Sequence, residues 1–184
     1  GTVYNSKGDP DKAMEFYDKA LQIREQVLNP LSPDLATTYN NIGMVYWSKG
    51  DYDKAMEFYD KALKIDEQVL DALSPALAIS YSNIGVVYYS KGDPDKAIEF
   101  LNRALQIREQ VLNPLSPDLA VSYSNIGGVY HSKGDLDEAL KLYDKALKIF
   151  EQVLNPLSPY LAISYNNIGG VYDEQKNYDK AMEF

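Results

Sequence analysis

The side chains of this sequence with chemistry to offer are one histidine, serines that stand before prolines, recurring aspartate pairs and a column of asparagines. General acid–base work needs a histidine within reach of a nucleophile or a second ligand. His131 has neither at equivalent positions, because stepping by 42 residues meets Tyr89, Trp47 and Asp173. It is expected to be a surface residue. Ser32, Ser74, Ser116 and Ser158 each precede proline, the pattern of a helix N-cap rather than of a nucleophile. Asp9, Asp11, Asp51 and Asp53 cluster where a second helix should start, and capping together with the helix dipole accounts for them. The glycines lie inside helices or at turns, without the strand that a phosphate loop needs. There is no cysteine to serve as a thiolate nucleophile or metal ligand. The chain is therefore expected to be no enzyme and to hold no metal or cofactor.

The asparagines point elsewhere. Asn41, Asn83, Asn125 and Asn167 recur every 42 residues, and an amide can both donate to and accept from a peptide backbone. What positions them is a unit written repeatedly. Lys-Gly-Asp recurs with its glycine at 8, 50, 92 and 134, and Lys176 fills the fifth slot; Tyr4, Tyr46, Tyr88, Tyr130 and Tyr172 keep the same step. A constant period of this length marks a solenoid. Within one unit, Ser32-Pro33-Asp34 should start a helix A whose inward face carries Tyr39, Ile42, Gly43 and Tyr46, and Gly50 should end it in the left-handed conformation. Asp51 should cap a helix B with the stripe Ala55, Phe58, Tyr59, Ala62, Leu63, Val69 and Leu70, ending near Asp71. Gly43, Gly85, Gly127 and Gly169 sit inside helix A, where glycine costs about 1 kcal/mol against alanine. Close packing of A on B is the expected compensation. The fold class is thus all-α, a right-handed superhelix of antiparallel helix pairs. One array should fill 1–184, with a partial repeat 1–28, full repeats 29–70, 71–112 and 113–154, and a partial repeat 155–184.

Composition limits the partners. With 45% hydrophobic and 24% charged residues the chain should fold, and a net charge of −9 repels nucleic acid. No apolar run approaches the roughly 20 residues that span a bilayer, and no signal peptide is seen at 1–7. The chain is read as soluble and cytoplasmic.

Tyr39, Ile42, Gly43, Tyr46, Ala55, Tyr59 and Ala62 resemble the signature of the tetratricopeptide repeat family. Members usually repeat every 34 residues or so, with proline closing helix B; here Glu67 holds that slot and the helix runs on. The longer form is similar to the repeats of kinesin light chain, through the run from Ala20 to Leu28, Pro33-Asp34-Leu35-Ala36 and Asn40-Asn41-Ile42, with Ser32 where histidine is common. Comparable repeats occur in nephrocystin-like proteins and in sensor arrays of bacterial signalling ATPases. The resemblance implies a scaffold that binds a protein or peptide in a concave groove, with an Asn at this slot contacting the ligand main chain. The chaperone-tail binders add Lys and Arg at slots held here by Asn40, Ser82, Ser124 and Met44, Val86, Gly128, so no carboxylate clamp is expected.

A helical wheel turns Thr37, Asn41 and Met44 away from helix B. The expected groove therefore combines Asn41, Asn83, Asn125 and Asn167 with Ile79 and Val121, and the resemblance adds the slot of Asn40, Ser82 and Ser124. Trp47 and Tyr89 stand at a slot that varies in character, either encoding specificity or forming a solvent-tolerant edge. The asparagine column either meets ligand or ties neighbouring A helices. On helix B, Arg24, Asp66, Arg108 and Phe150 share a slot in the apolar stripe; either an Arg24–Asp66–Arg108 ion ladder joins the copies, or helix B overhangs its partner there and the slot is wet. Gly1 aligns with Gly43 and Phe184 with Phe58, so the chain starts and stops mid-helix. That pattern suggests a piece of a longer array, or head-to-tail self-association. A sensor or regulatory segment of a larger signalling protein is a further alternative.

Overall fold

The computed structural model describes residues 10–184, and the expectations at Gly1, Tyr4, Gly8 and Asp9 lie outside them. In chain order the helices are α1 (Pro10–Val27), α2 (Pro33–Ser48), α3 (Tyr52–Val69), α4 (Pro75–Ser90), α5 (Pro94–Val111), α6 (Pro117–Lys133), α7 (Leu136–Val153), α8 (Pro159–Glu174) and the short α9 (Tyr178–Ala181). No strand occurs among the described residues.

The Ser-Pro signals act as expected. Helices α2, α4, α6 and α8 all begin at that proline, and the hydroxyls of Ser32, Ser74 and Ser158 accept the amide two residues on at 3.3 Å. Ser116 holds the same extended backbone without a side-chain bond. Asp51 and Asp93 cap the next helix by accepting from the amides of Lys54 and Lys96. Between the two helices, Gly50, Gly92 and Gly134 take φ of 77°, 79° and 85°, the left-handed region that a side chain disfavours. Lys176 adopts φ 58° at the fifth slot and bears that strain with a full side chain.

The elbows after helix B are Asx turns. Asn29, Asn113 and Asn155 each accept the backbone amide two residues on at 2.9 Å, and Asp71 does the same with its carboxylate. Asp71-Ala72 therefore conserves the geometry of Asn-Pro.

The chain divides into two compact units, Gly1–Ile107 and Arg108–Phe184. In the first, α2 packs along α3, and a Cβ on Gly43 would come within 2.7 Å of the Tyr59 ring; at Gly85 it would meet Leu101 at 2.7 Å and the Ala97 carbonyl oxygen at 3.2 Å. Omitting Cβ lets the helix axes approach, and Ile42, Val45, Ile84 and Val87 close the core beside them. In the second unit α6 packs along α7, and a Cβ on Gly127 would come within 2.9 Å of the Tyr143 ring. Gly169 departs from expectation. Its Cβ would first meet the Ala181 carbonyl oxygen at 3.6 Å, ordinary contact, because it faces only the short α9.

Aromatics cover each core, half-buried except for the exposed Phe184. Phe58 stacks on Tyr46 at 5.6 Å, Phe100 on Tyr88 at 5.5 Å, and Phe184 on Tyr172 at 5.9 Å. Lysines lie over several of these rings, as Lys61 does over Phe58 at 4.9 Å. No helix among the described residues is long and apolar enough to cross a membrane.

Candidate functional site

The A helices carry few charges. Among Asp, Glu, Lys and Arg, α2 holds Asp34 alone and α4 holds none, while the neighbouring B helices are dense in them. The face that α2 and α4 turn away from helix B is consequently neutral, whereas α6 carries Asp118 and Lys133 and α8 carries Asp173 and Glu174. In the first unit it exposes Met44, Trp47, Ile79 and Tyr89, with Thr37 also exposed and Asn41 and Asn83 half-buried among them. In the second, Asn125 and Ile163 are exposed, and Val121 and Asn167 are half-buried. Gly128 and Gly170 leave the Met44 slot open there.

The asparagines are not alike. Asn83 donates from Nδ2 to Oδ1 of Asn40 at 3.3 Å, tying neighbouring A helices α4 and α2. Asn41, Asn125 and Asn167 find no side-chain partner among the described residues, so their amides stay available. Ser82 and Ser124, at the Asn40 slot, make no bond either, and the Ser82 oxygen is covered. The variable slot also ties A helices: Trp47 Nε1 donates to Ser90 Oγ at 3.0 Å, and His131 Nε2 lies 2.9 Å from Glu174 Oε1. His131 is thus half-buried in a polar contact rather than standing on open surface.

Behind this face lies a set of junctions between each B helix and the following A helix. Tyr39, Tyr81, Tyr123 and Tyr165 donate to Glu25, Glu67, Glu109 and Glu151, fourteen residues back, at 2.7–3.0 Å. Burial first, and then the carboxylate beside it, pushes the Tyr39 phenol up to about 12.

The Arg24–Asp66 rung of the expected ion ladder does not form. No ion pair joins Arg24 to Asp66; each slot turns instead to the hydroxyl fourteen residues on. Arg24 donates to Thr38 Oγ1 and to the Asp34 carbonyl oxygen, and Arg108 donates to Ser122 Oγ at 2.9 Å. Asp66, only 3% exposed, accepts from Ser80 Oγ at 2.6 Å. Burial raises its carboxyl above the usual range, and the Ser80 bond pulls it back in part. Phe150 is buried and stacks on Tyr160 at 5.4 Å. That rung fails because helix B packs against the next helix A, so a residue's neighbour lies fourteen positions on rather than forty-two.

Residue pairs ten apart follow these partners: Arg24 with Asp34, Asp66 with Ala76, Arg108 with Asp118, and Phe150 with Tyr160. The helix-start aspartate is present where the slot is cationic and absent where it is anionic, which avoids like charge. That alternation, and the hydroxyl at Thr38, Ser80, Ser122 and Ser164, was visible in the sequence.

A family model described as Tetratricopeptide repeat matches residues 1–68, 35–110 and 118–184. No curated protein matches the chain significantly. Among solved structures, BtubC (BKLC) from P. vanneervenii superposes with a TM-score of 0.88 at 28% identity, covering 99% of this chain and 72% of its own. The nearly identical TPR-like repeats of a kinesin light chain-like protein from Podosopora anserina give 0.86 at 20% identity, covering 99% and 86%. The apo form of RapI gives 0.85 at 19% identity, covering 98% of this chain and 63% of RapI. The all-helical fold is that of these repeat superhelices.

Proposed function

Because the chain belongs to the tetratricopeptide repeat family, a family of non-catalytic scaffolds that engage protein partners, we propose that it binds an extended peptide segment along the neutral face of its A helices. The residues 1–184 then act as one array, in keeping with an uninterrupted 42-residue register. The observation that carries the reading is the recurring amide column flanked by exposed apolar side chains in a chain of net charge −9. A charged ligand would be met by complementary charge, and this face offers none in α2 and α4 beyond Asp34. Amides satisfy a peptide main chain, while Met44, Ile79, Val121, Trp47 and Tyr89 take side chains. The slots of Asn40, Ser82 and Ser124 lack the cations of a carboxylate clamp, so the ligand's C-terminal carboxylate is not the anchor.

A displayed library of uncapped random peptides tests this. Selected sequences should bind the purified chain, and Asn83→Ala and Asn125→Ala should each weaken them about tenfold, the worth of roughly one hydrogen bond. Binding that survives both changes would remove the face from the account.

A further inference from the structure

The buried carboxylate of Asp66 has no counterpart in the other copies, where arginine or phenylalanine fills the slot. It does not end at Ser80. Ser80 Oγ donates to Asp66 Oδ2 at 2.6 Å and accepts from Asn40 Nδ2 at 3.2 Å; Asn40 Oδ1 in turn accepts from Asn83 Nδ2 at 3.3 Å. The direction of this chain of bonds is forced. An ionised carboxylate can only accept, so the single hydroxyl proton of Ser80 must point at Asp66, which leaves its oxygen as acceptor. Asn40 must then present its N–H to Ser80 and its oxygen to Asn83. Asn83 must present N–H inward, and its own Oδ1 is left with no partner among the described residues.

The contrast with the other junctions supports this. Thr38, Ser122 and Ser164 donate to the carbonyl oxygens of Asp34, Asp118 and Tyr160, four residues back in their own helices. Ser80 alone gives up that bond: its proton goes to Asp66, and its oxygen accepts from Asn40. With Arg24 or Arg108 in the slot the cation donates to the hydroxyl instead, and the direction is reversed.

We propose that Asp66 is a positioning residue for recognition: acting through Ser80 and Asn40, it turns the amide oxygen of Asn83 towards the open face. That stretch of the first unit then takes its ligand through a main-chain N–H. The ligand half of this inference rests on the peptide-binding reading above, and the positioning half does not.

Two arms separate them. In a 15N-labelled chain, the side-chain amide signals of Asn40 and Asn83 are followed in Asp66→Leu and in Asp66→Leu combined with Ser80→Ala, which leaves no buried group unpaired. Both signals should move towards solvent-exposed values and exchange faster, while Asn125 and the backbone amides of α2 and α4 hold still. Asn40 and Asn83 signals that stay unmoved in Asp66→Leu would overturn the positioning role. In the second arm, a library-selected peptide is N-methylated one residue at a time. One position should lose about tenfold in affinity on the wild-type chain, and that penalty should vanish in Asn83→Ala and shrink in Asp66→Leu. A flat N-methyl scan, with Asn83→Ala still weakening binding, would overturn the acceptor assignment alone. Binding indifferent to Asn83→Ala would instead count against the binding face and leave the first arm to decide the role of Asp66.

Discussion

The junction of α3 with α4 and the junction of α7 with α8 share a backbone plan and differ in what fills it. In the first, Asp66 is buried against Ser80, and the bonds continue to Asn40 and Asn83. In the second, Phe150 stacks on Tyr160, Ser164 bonds within its own helix, and Asn167 has no partner among the described residues. Apolar contact makes the second junction a stabilising element. Burying a carboxylate costs solvation, and the same expense in the first junction fixes the orientation of surface amides.

The largest way to break this comparison is Phe150→Ala. It removes a side chain 2% exposed together with its stack on Tyr160, and should cost about 3–5 kcal/mol in urea unfolding. Asp66→Leu, by contrast, should be near neutral or stabilising, since apolar replacement of a buried charge removes a desolvation penalty. A loss at Asp66→Leu as large as that at Phe150→Ala would mean that the carboxylate is a stability element.

Two glycines sharpen the contrast next. Gly85→Ala forces Cβ against Leu101 and the Ala97 carbonyl oxygen, and should destabilise by about 1–3 kcal/mol. Gly170→Ala meets open space in a helix and should stabilise by about 1 kcal/mol. Thermal unfolding reads both.

The pH dependence of Asp66 has a defined sign. Burial raises its folded pKa above the unfolded value, so the native state binds the proton more tightly. Its contribution is fully present below the ordinary aspartate value of about 3.9 and is lost as pH rises through the folded value. Asp66→Asn should therefore raise Tm most at neutral pH, and the gain should shrink on acidification; a constant gain across pH would contradict it. The smallest effect belongs to the fifth turn, where Lys176→Gly relieves φ 58° and should add about 0.5–1 kcal/mol, against no gain for a change at Gly134.

Much of the fold was legible because its signals are local. Ser32-Pro33, Gly50 and Asp51 each act on backbone within a few residues, and the 42-residue period repeats them until they are unmistakable. The small residues facing helix B were also readable, apart from Gly169, whose partner helix is short. The junctions were not. A helical wheel places Asp66 correctly in the packed stripe but cannot say which element covers it. Symmetry suggested its equivalents in other copies, whereas solenoid packing supplied the next helix A. The direction of the Asn40–Asn83 bond depends on that same tertiary contact.

The central claim is that the neutral face of the A helices is where a partner sits. Chemical-shift mapping of a library-selected peptide on the labelled chain addresses it directly. Shifts centred on Asn41, Met44, Ile79 and Asn83, with the charged outer surfaces of α3 and α5 silent, are the predicted result. Shifts confined to those outer surfaces would contradict it.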